Sequence, residues 1–420
     1  MERTEDNLNP LVEIAKLAKA ASRPMARAST QQKNDALTFM SENLLLNIDE
    51  ILSANAVDMR HSRDRGFSEA QLDRLALTSP QISQMSEQIL EVVGLPDPIG
   101  EITHGYVLEN RLVVKKQRVP LGVVGIIYEN RPNVTSDAAA LCIKAGNVAF
   151  LRGSSAALKS NTAIASVLCA ALEKAQLPRS AITLVPDASR ESAIAFMKLD
   201  GFIDCLIPRG GKSLIDTIRE HSTVPYIIDG EGNCHIYVDD SANLDDAIAI
   251  IANAKIQRPS VCNAVETVLV HRAIADSFLP QLDRALNVVE IRGDEFVRSH
   301  IGRALAVTRD DYACEFLDLK LAVRVVDDID QALEHIDIYG SGHSEAILTN
   351  DYANATRFTR EVDAAVVLVN ASTRFVDGNQ LGLGAEIGIS TQKLHARGPM
   401  GLVALTTERF VVEGSGQIRR

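Results

Sequence analysis

From Leu121 to Asp229 the chain sets short apolar runs (LGVVGIIY, NVAFL, AITLV, FIDCLI and PYII) between helical stretches near 134–145, 156–175, 189–199 and 212–221. Strand and helix in strict alternation call for right-handed βαβ crossovers and a mostly parallel sheet covered on both faces, an architecture that binds nucleotides. A second series follows Asp229: CHIYV, a helix over 244–256, a loop, VETVLV, a helix over 273–286, KLAVRVV, a helix over 328–337, EAILT, a helix over 351–361, and AAVVLV. The expected fold class is therefore α/β, with two doubly wound parallel-sheet domains. Ahead of them, Pro10 to Gly94 reads as helical throughout, with Ser29-Thr30 and Ser79-Pro80 opening helices. VLENRLVVKKQRV at 107–119 alternates apolar and charged residues around Glu109-Asn110, which predicts a half-exposed hairpin. The closing LVALTTERFVV returns to strand character and is placed to pair with that hairpin in a small β arm for oligomerisation. These readings put a cofactor-binding domain at 1–104 and 124–233, a catalytic domain at 234–398 and an oligomerisation arm at 105–123 and 399–420.

A net charge of −12, with no Lys/Arg cluster interleaved with aromatics, argues against nucleic acid and anionic membranes as partners and leaves small molecules. The six cysteines are scattered, with no CxxC pair, and read as free thiols of a reducing, cytoplasmic setting. No HxxxH or HExxH spacing occurs, so no metal is expected. Met1 to Pro10 has no apolar leader core and no run approaches 18 uncharged apolar residues, so neither export nor membrane insertion is expected.

Chemistry concentrates in a few places. Cys262, in QRPSVCNA, sits in a Pro-flanked loop between a helix and a strand, where a thiol can be held still beside its own backbone N–H for acyl transfer; a small buried hydrophobe is the ordinary alternative. Pro208-Arg209-Gly210-Gly211-Lys212-Ser213 is no Walker motif, since Leu206 stands where its first glycine belongs, yet it joins strand to helix where N–H groups and cations suit a pyrophosphate. A plain glycine-rich turn fits this run equally well. Gly382, Gly384 and Gly388 miss the dinucleotide fingerprint by one residue. Arg152 ends the second strand, where a cation would accept the 2′-phosphate of NADP and an acid would select NAD. His343, in a loop before a strand, is placed either to touch substrate or to fix the loop by a hydrogen bond.

Five blocks in order carry a resemblance: LGVVGIIYENRPNVTSDAAALCIKAGN (121–147), LIPRGGKSLI (206–215), QRPSVCNAVET (257–267), EHIDIYGSGHSEAI (334–347) and NASTRFVDGNQLGLGAEIGISTQKLHARGPMGL (370–402). Over about residues 10–417 the chain resembles the gamma-glutamyl phosphate reductases (glutamate-5-semialdehyde dehydrogenases), a branch of the aldehyde dehydrogenase superfamily. The resemblance implies an aldehyde dehydrogenase-like fold and NADPH-dependent reduction of L-glutamyl 5-phosphate to L-glutamate 5-semialdehyde and phosphate, the second step from glutamate to proline. It gives Cys262 the nucleophile's place, with a thioester formed on it. The oxyanion amide falls on Asn130 by the superfamily's NxP spacing or on Asn133 by the family block, and both stay open. Glu315 matches the glutamate that holds the nicotinamide ribose, and Pro186 joins Arg152, Arg209, Gly210, Gly211 and Ser213 in the cofactor set. The water-activating glutamate of aldehyde-oxidising members falls near Ile228, where no carboxylate stands, which suits a reductase. Arg374 is placed to fork the substrate's α-carboxylate and Glu386 to face its ammonium; Arg131, Asn263, His343, Ser372 and Thr373 complete the substrate set. A homo-oligomer is expected, and the family makes direct delivery by a glutamate 5-kinase plausible. The rival readings are an acylating dehydrogenase for another acyl phosphate or thioester, and a non-catalytic relative that keeps the fold.

Overall fold

Helix caps written into the sequence set the opening of the structure, a computed structural model that describes residues 8–419. Five helices come first: α1 Leu8–Met25, α2 Thr30–Leu46, α3 Ile48–Asp64, α4 Glu69–Leu75 and α5 Ser79–Gly94. Ser29, Ser68 and Thr78 each form a capping box with Gln32, Gln71 and Gln81, satisfying orphan N–H groups at both ends of the exchange. The cap of α5 is thus Thr78, one residue before the expected start. Pro80 lies in that helix's first turn, where its missing N–H costs nothing.

The chain divides into two units: the first runs to Ile228 and takes back Leu383–Gly388 and the chain from Met400, and the second is Asp229–Gly382 with Ile389–Pro399. In the first unit, β1 Ile102–Val107 and β2 Val113–Pro120 form the hairpin, and Thr406–Glu413 pairs antiparallel along the whole of β2. The second sheet of this unit contains β3 Val123–Tyr128, β4 Val148–Arg152, β5 Ile182–Leu184 and β6 Cys205–Arg209, all parallel, in the order β5-β4-β3-β6. Every residue of β3 is buried; since successive side chains point to opposite faces, both faces of the sheet are covered. The crossovers are α6 Val134–Lys144, α7 Leu158–Lys174 and α8 Arg190–Met197, and α9 Lys212–His221 follows β6. Ser155–Lys174 is long and apolar enough to cross a bilayer, but 67% of that window is buried within the fold. The expected strand PYII contributes only a bridge from Tyr226 to Leu206, because Pro225 has no N–H to extend a ladder.

The second unit is built on one parallel sheet of seven strands. These are β7 Cys234–Val238, β8 Val265–His271, β9 Glu290–Gly293, β10 Leu305–Ala306, β11 Lys320–Val326, β12 Ser344–Leu348 and β13 Val366–Val369, in the order β10-β9-β11-β8-β7-β12-β13. Alternation along each strand feeds two apolar clusters. Ile236, Val238, Val268, Val270, Ala346 and Leu348 enter one, while Tyr237, Leu269 and Ile347 enter the other. That partition is the signature of a sheet wound with helices on both sides. α10 Leu244–Ile256 precedes the Cys262 loop, and α11 Arg272–Ala285 follows β8. β9 and β10 lie in a stretch the sequence pattern left unassigned.

Candidate active site and cofactor-binding strand ends

Cys262 lies in the 257–264 connection between α10 and β8, in a turn closed by Ala264 N–H donating to Val261 O at 3.1 Å. The loop is gripped from behind. The Cys234 thiol, at the start of β7, donates to the Cys262 carbonyl at 3.2 Å. Gly232 lies so close that a Cβ there would come 1.8 Å from that same oxygen, so any side chain at 232 would displace the Cys262 backbone. The Gly232 N–H in turn donates to Glu315 Oε1 at 2.9 Å. Burial raises the Glu315 carboxyl pKa against that hydrogen bond. Cys142, Cys169, Cys205 and Cys234 are buried, and burial pushes each thiol up, to about 11 for Cys169 and about 12 for Cys205. Cys262 is half-buried and Cys314 exposed, unlike those four.

Arg374 is tied directly to this loop: its Nε donates to Gln257 Oε1 at 3.0 Å and an Nη donates to Asn263 Oδ1. Asn263 donates onward to Val376 O at 2.9 Å. Burial holds the Arg374 pKa below its ordinary value, with Arg258 acting in the same direction and Asp377 and the Cys262 sulfur opposing. Ser372 bonds Asn253 at 2.7 Å and accepts from the Arg374 N–H, and Thr373 is fully buried with an unpartnered Oγ1. The second unit therefore brings Cys262, Asn263, Ser372, Thr373, Arg374 and Glu315 into one connected set.

His343 requires a correction. It is fully buried, its Nδ1 2.8 Å from Ser344 Oγ and 3.7 Å from Cys234 Sγ, and burial lowers its pKa to about 4. With no exposed surface to offer a substrate, the neutral ring fixes the strand start behind Cys234, which is the loop-fixing role. Glu386 belongs to the first unit, on the half-buried segment before Gly388.

In the first unit the remaining candidates gather at the carboxyl ends of β3, β4, β5 and β6. Strand order reverses about β3, and that is where an open α/β sheet leaves a ligand crevice. After β6, Gly211 caps α9, so Gly211, Lys212 and Ser213 present the helix N-terminus. Its N–H lies 3.4 Å from Glu129 Oε2, and a Cβ on Gly210 would come 2.7 Å from Leu214 and 2.9 Å from that carboxylate. At the end of β4, Arg152 Nη2 donates to Ala188 O and Ser189 O at 2.9 and 2.8 Å, fastening the guanidinium to the loop that begins with exposed Pro186. Its Nε is buried with no hydrogen-bond partner. After β3, Asn130 takes a left-handed φ of +42°, and its Oδ1 accepts from Ser154 Oγ at 2.9 Å. Arg131 beside it is exposed. Asn133 instead donates Nδ2 to Asp137 Oδ2 at 2.9 Å. Desolvation raises Asp137 to about 6, against hydrogen bonds from Asn133 and Ser136 and the Arg209 charge. Glu129 and Asp137 lie within the 121–147 block without standing out in it, and Gly232 and Cys234 lie outside all five blocks; the fold is what brings them to these positions.

The Aldehyde dehydrogenase family model matches residues 4–303. Gamma-glutamyl phosphate reductases of Carboxydothermus hydrogenoformans and Caldanaerobacter subterraneus are each 54% identical, over 98% and 97% of this chain and 100% and 99% of theirs. The crystal structure of gamma-glutamyl phosphate reductase from Thermotoga maritima superposes with a TM-score of 0.96 at 46% identity, covering 98% of this chain and 100% of that one. The chain is thus an oxidoreductase of aldehyde dehydrogenase-like fold, and it belongs to the gamma-glutamyl phosphate reductases.

Proposed function

We propose that this enzyme reduces L-glutamyl 5-phosphate to L-glutamate 5-semialdehyde with NADPH through a thioester on Cys262. The observation that carries the reading is the Cys262 loop itself: a half-buried thiol, braced by Cys234 and Gly232 and tied to the Arg374 guanidinium. Its thiolate attacks the acyl carbon, the bond to the phosphate oxygen breaks, and phosphate leaves with the electron pair. The Cys262 N–H and the Asn130 amide hold the oxyanion, the Asn133 amide being already engaged by Asp137. Arg374 and Asn263 receive the amino-acid end, with Ser372 and Thr373 supporting Arg374 and with Arg131 and Glu386 as further contacts.

Two features of the first unit support the cofactor: the helix N-terminus at Gly211-Ser213, where the Gly211 N–H now meets the Glu129 carboxylate, suits a pyrophosphate, and Arg152, with an unpartnered Nε, suits a 2′-phosphate. Arg209, Gly210 and Pro186 line the same strand ends, and Glu315 supplies a carboxylate for ribose hydroxyls. When bound, the nicotinamide supplies the hydride that turns the thioester into a thiohemiacetal, whose collapse frees the aldehyde and the thiol. The β1–β2 hairpin and Thr406–Glu413 expose Tyr106, Val107, Phe410 and Val412, and we assign this uncovered sheet to contact with a second copy in a homo-oligomer.

The reverse reaction tests the chemistry. Given glutamate 5-semialdehyde and NADP, reduced cofactor is expected to form only when phosphate is added, since phosphate alone deacylates the thioester productively. Formation without phosphate would mean that water does so, and would make the enzyme an aldehyde oxidiser. Arg152→Gln is expected to raise the KM for NADPH by about 10- to 100-fold, the worth of a charge-assisted hydrogen bond, and to leave NADH nearly unaffected. Equal losses for both cofactors would place the 2′-phosphate elsewhere.

A further inference from the structure

The loop that carries Cys262 begins at the end of α10 and ends at the start of β8. One charged residue stands at each foot. Lys255 Nζ and Glu266 Oε2 meet at 2.6 Å, with side chains 0% and 1% exposed. The other carboxylate oxygen, Oε1, accepts from the Leu317 N–H at 3.2 Å. Leu317 follows Glu315 by two residues and holds a left-handed φ of +53°, a conformation that leucine adopts only when its surroundings impose it.

Such a pair is a poor device for stability, because desolvating two charges costs about what their attraction returns, and apolar residues of similar volume often serve as well. It is a good device for geometry. Any drift between the two feet would leave an ammonium or a carboxylate unpaired in a low-dielectric interior. Burial acts on both members, lowering the Lys255 pKa and raising Glu266 to about 7, while each opposes the effect on the other.

We propose that Lys255 and Glu266 are a positioning pair that closes the Cys262 loop at its base and, through Leu317, sets the Glu315 segment against it. The inference rests on Cys262 being the nucleophile. It assigns the pair no contact with substrate or cofactor; it acts by holding the thiol where attack on the acyl carbon is productive.

The test is the full-length double variant Lys255→Met/Glu266→Met, which removes both charges and keeps the volume. It is expected to fold with a melting temperature close to the parent's and to lose some NADPH affinity through the Glu315 segment, while kcat falls further, by about 10- to 100-fold, as for a misplaced catalytic group. Should the double variant fail to fold, Lys255→Met alone serves, because Glu266 can take up a proton and stay neutral in place; the same loss of kcat is expected. A folded variant of either kind with kcat within about twofold of the parent would overturn the inference. Cys262→Ala in the same assay separates the two readings. If that variant is inactive while the positioning variants keep full activity, only the role of the pair falls. If it is active, the nucleophile assignment itself has failed.

Discussion

Replacing Cys262 by alanine is expected to lower kcat in the reductive direction by about 10⁴-fold or more, the scale seen when a covalent nucleophile is removed. NADPH should bind the variant as before, because the groups assigned to the cofactor's phosphates (Arg152 at the end of β4 and the Gly211 cap of α9) belong to the other unit and make no use of the thiol. Cys314 is exposed, but the contrast with the four buried cysteines sharpens the expectation. Cys142, Cys169, Cys205 and Cys234 are buried and held protonated, so none of them can stand in. Stopped-flow absorbance at the reduced-cofactor band, with parallel equilibrium binding, measures both quantities. Turnover that survives the substitution would end the thioester mechanism.

The second large effect separates the two amides that the sequence leaves equal. Asn130→Ala is expected to reduce kcat by about 10²- to 10³-fold with little change in KM, as loss of one oxyanion donor does. Ser154 holds the carbonyl end of the Asn130 side chain, which leaves its NH₂ to serve the developing charge. In Asn133 it is the NH₂ that is occupied, by Asp137. Asn133→Ala should therefore cost less in kcat, while leaving a carboxyl already raised to about 6 without one of its donors. A larger kcat loss at 133 than at 130 would reverse the assignment.

Both sheets were legible in the sequence because their apolar runs are short, β-branched and separated by helical periods. Where the pattern misled, a local cause is visible. PYII reads as a strand, but Pro225 limits it to one bridge. β9 and β10 show no strand pattern in the sequence because EIRG and LA hold too few apolar residues to form an alternation. Cys262 stood out by its loop. Its braces did not, since a buried Cys234 looks like any core cysteine and Gly232 like any turn glycine until they meet the Cys262 carbonyl. A lysine late in an apolar helix and a glutamate within VETVLV are visible as misfits one by one; that they meet can be known only once α10 and β8 have been laid side by side. His343 shows the converse: a histidine in a loop invites a substrate role that its complete burial denies.

Thr406–Glu413 pairs with β2 through its full length, and buried Asn147 donates to Leu405 O at 2.8 Å. The whole second unit therefore lies, in chain order, inside the first. During synthesis the first unit cannot close until residue 405 and the strand after it have been made, by which time Asp229–Gly382 is already available to fold. Closing so long a loop carries an entropic cost that local helices do not share. A ribosome-bound chain halted before residue 405 would leave β2 with an open edge, exposed to pairing with other chains for as long as the halt lasts.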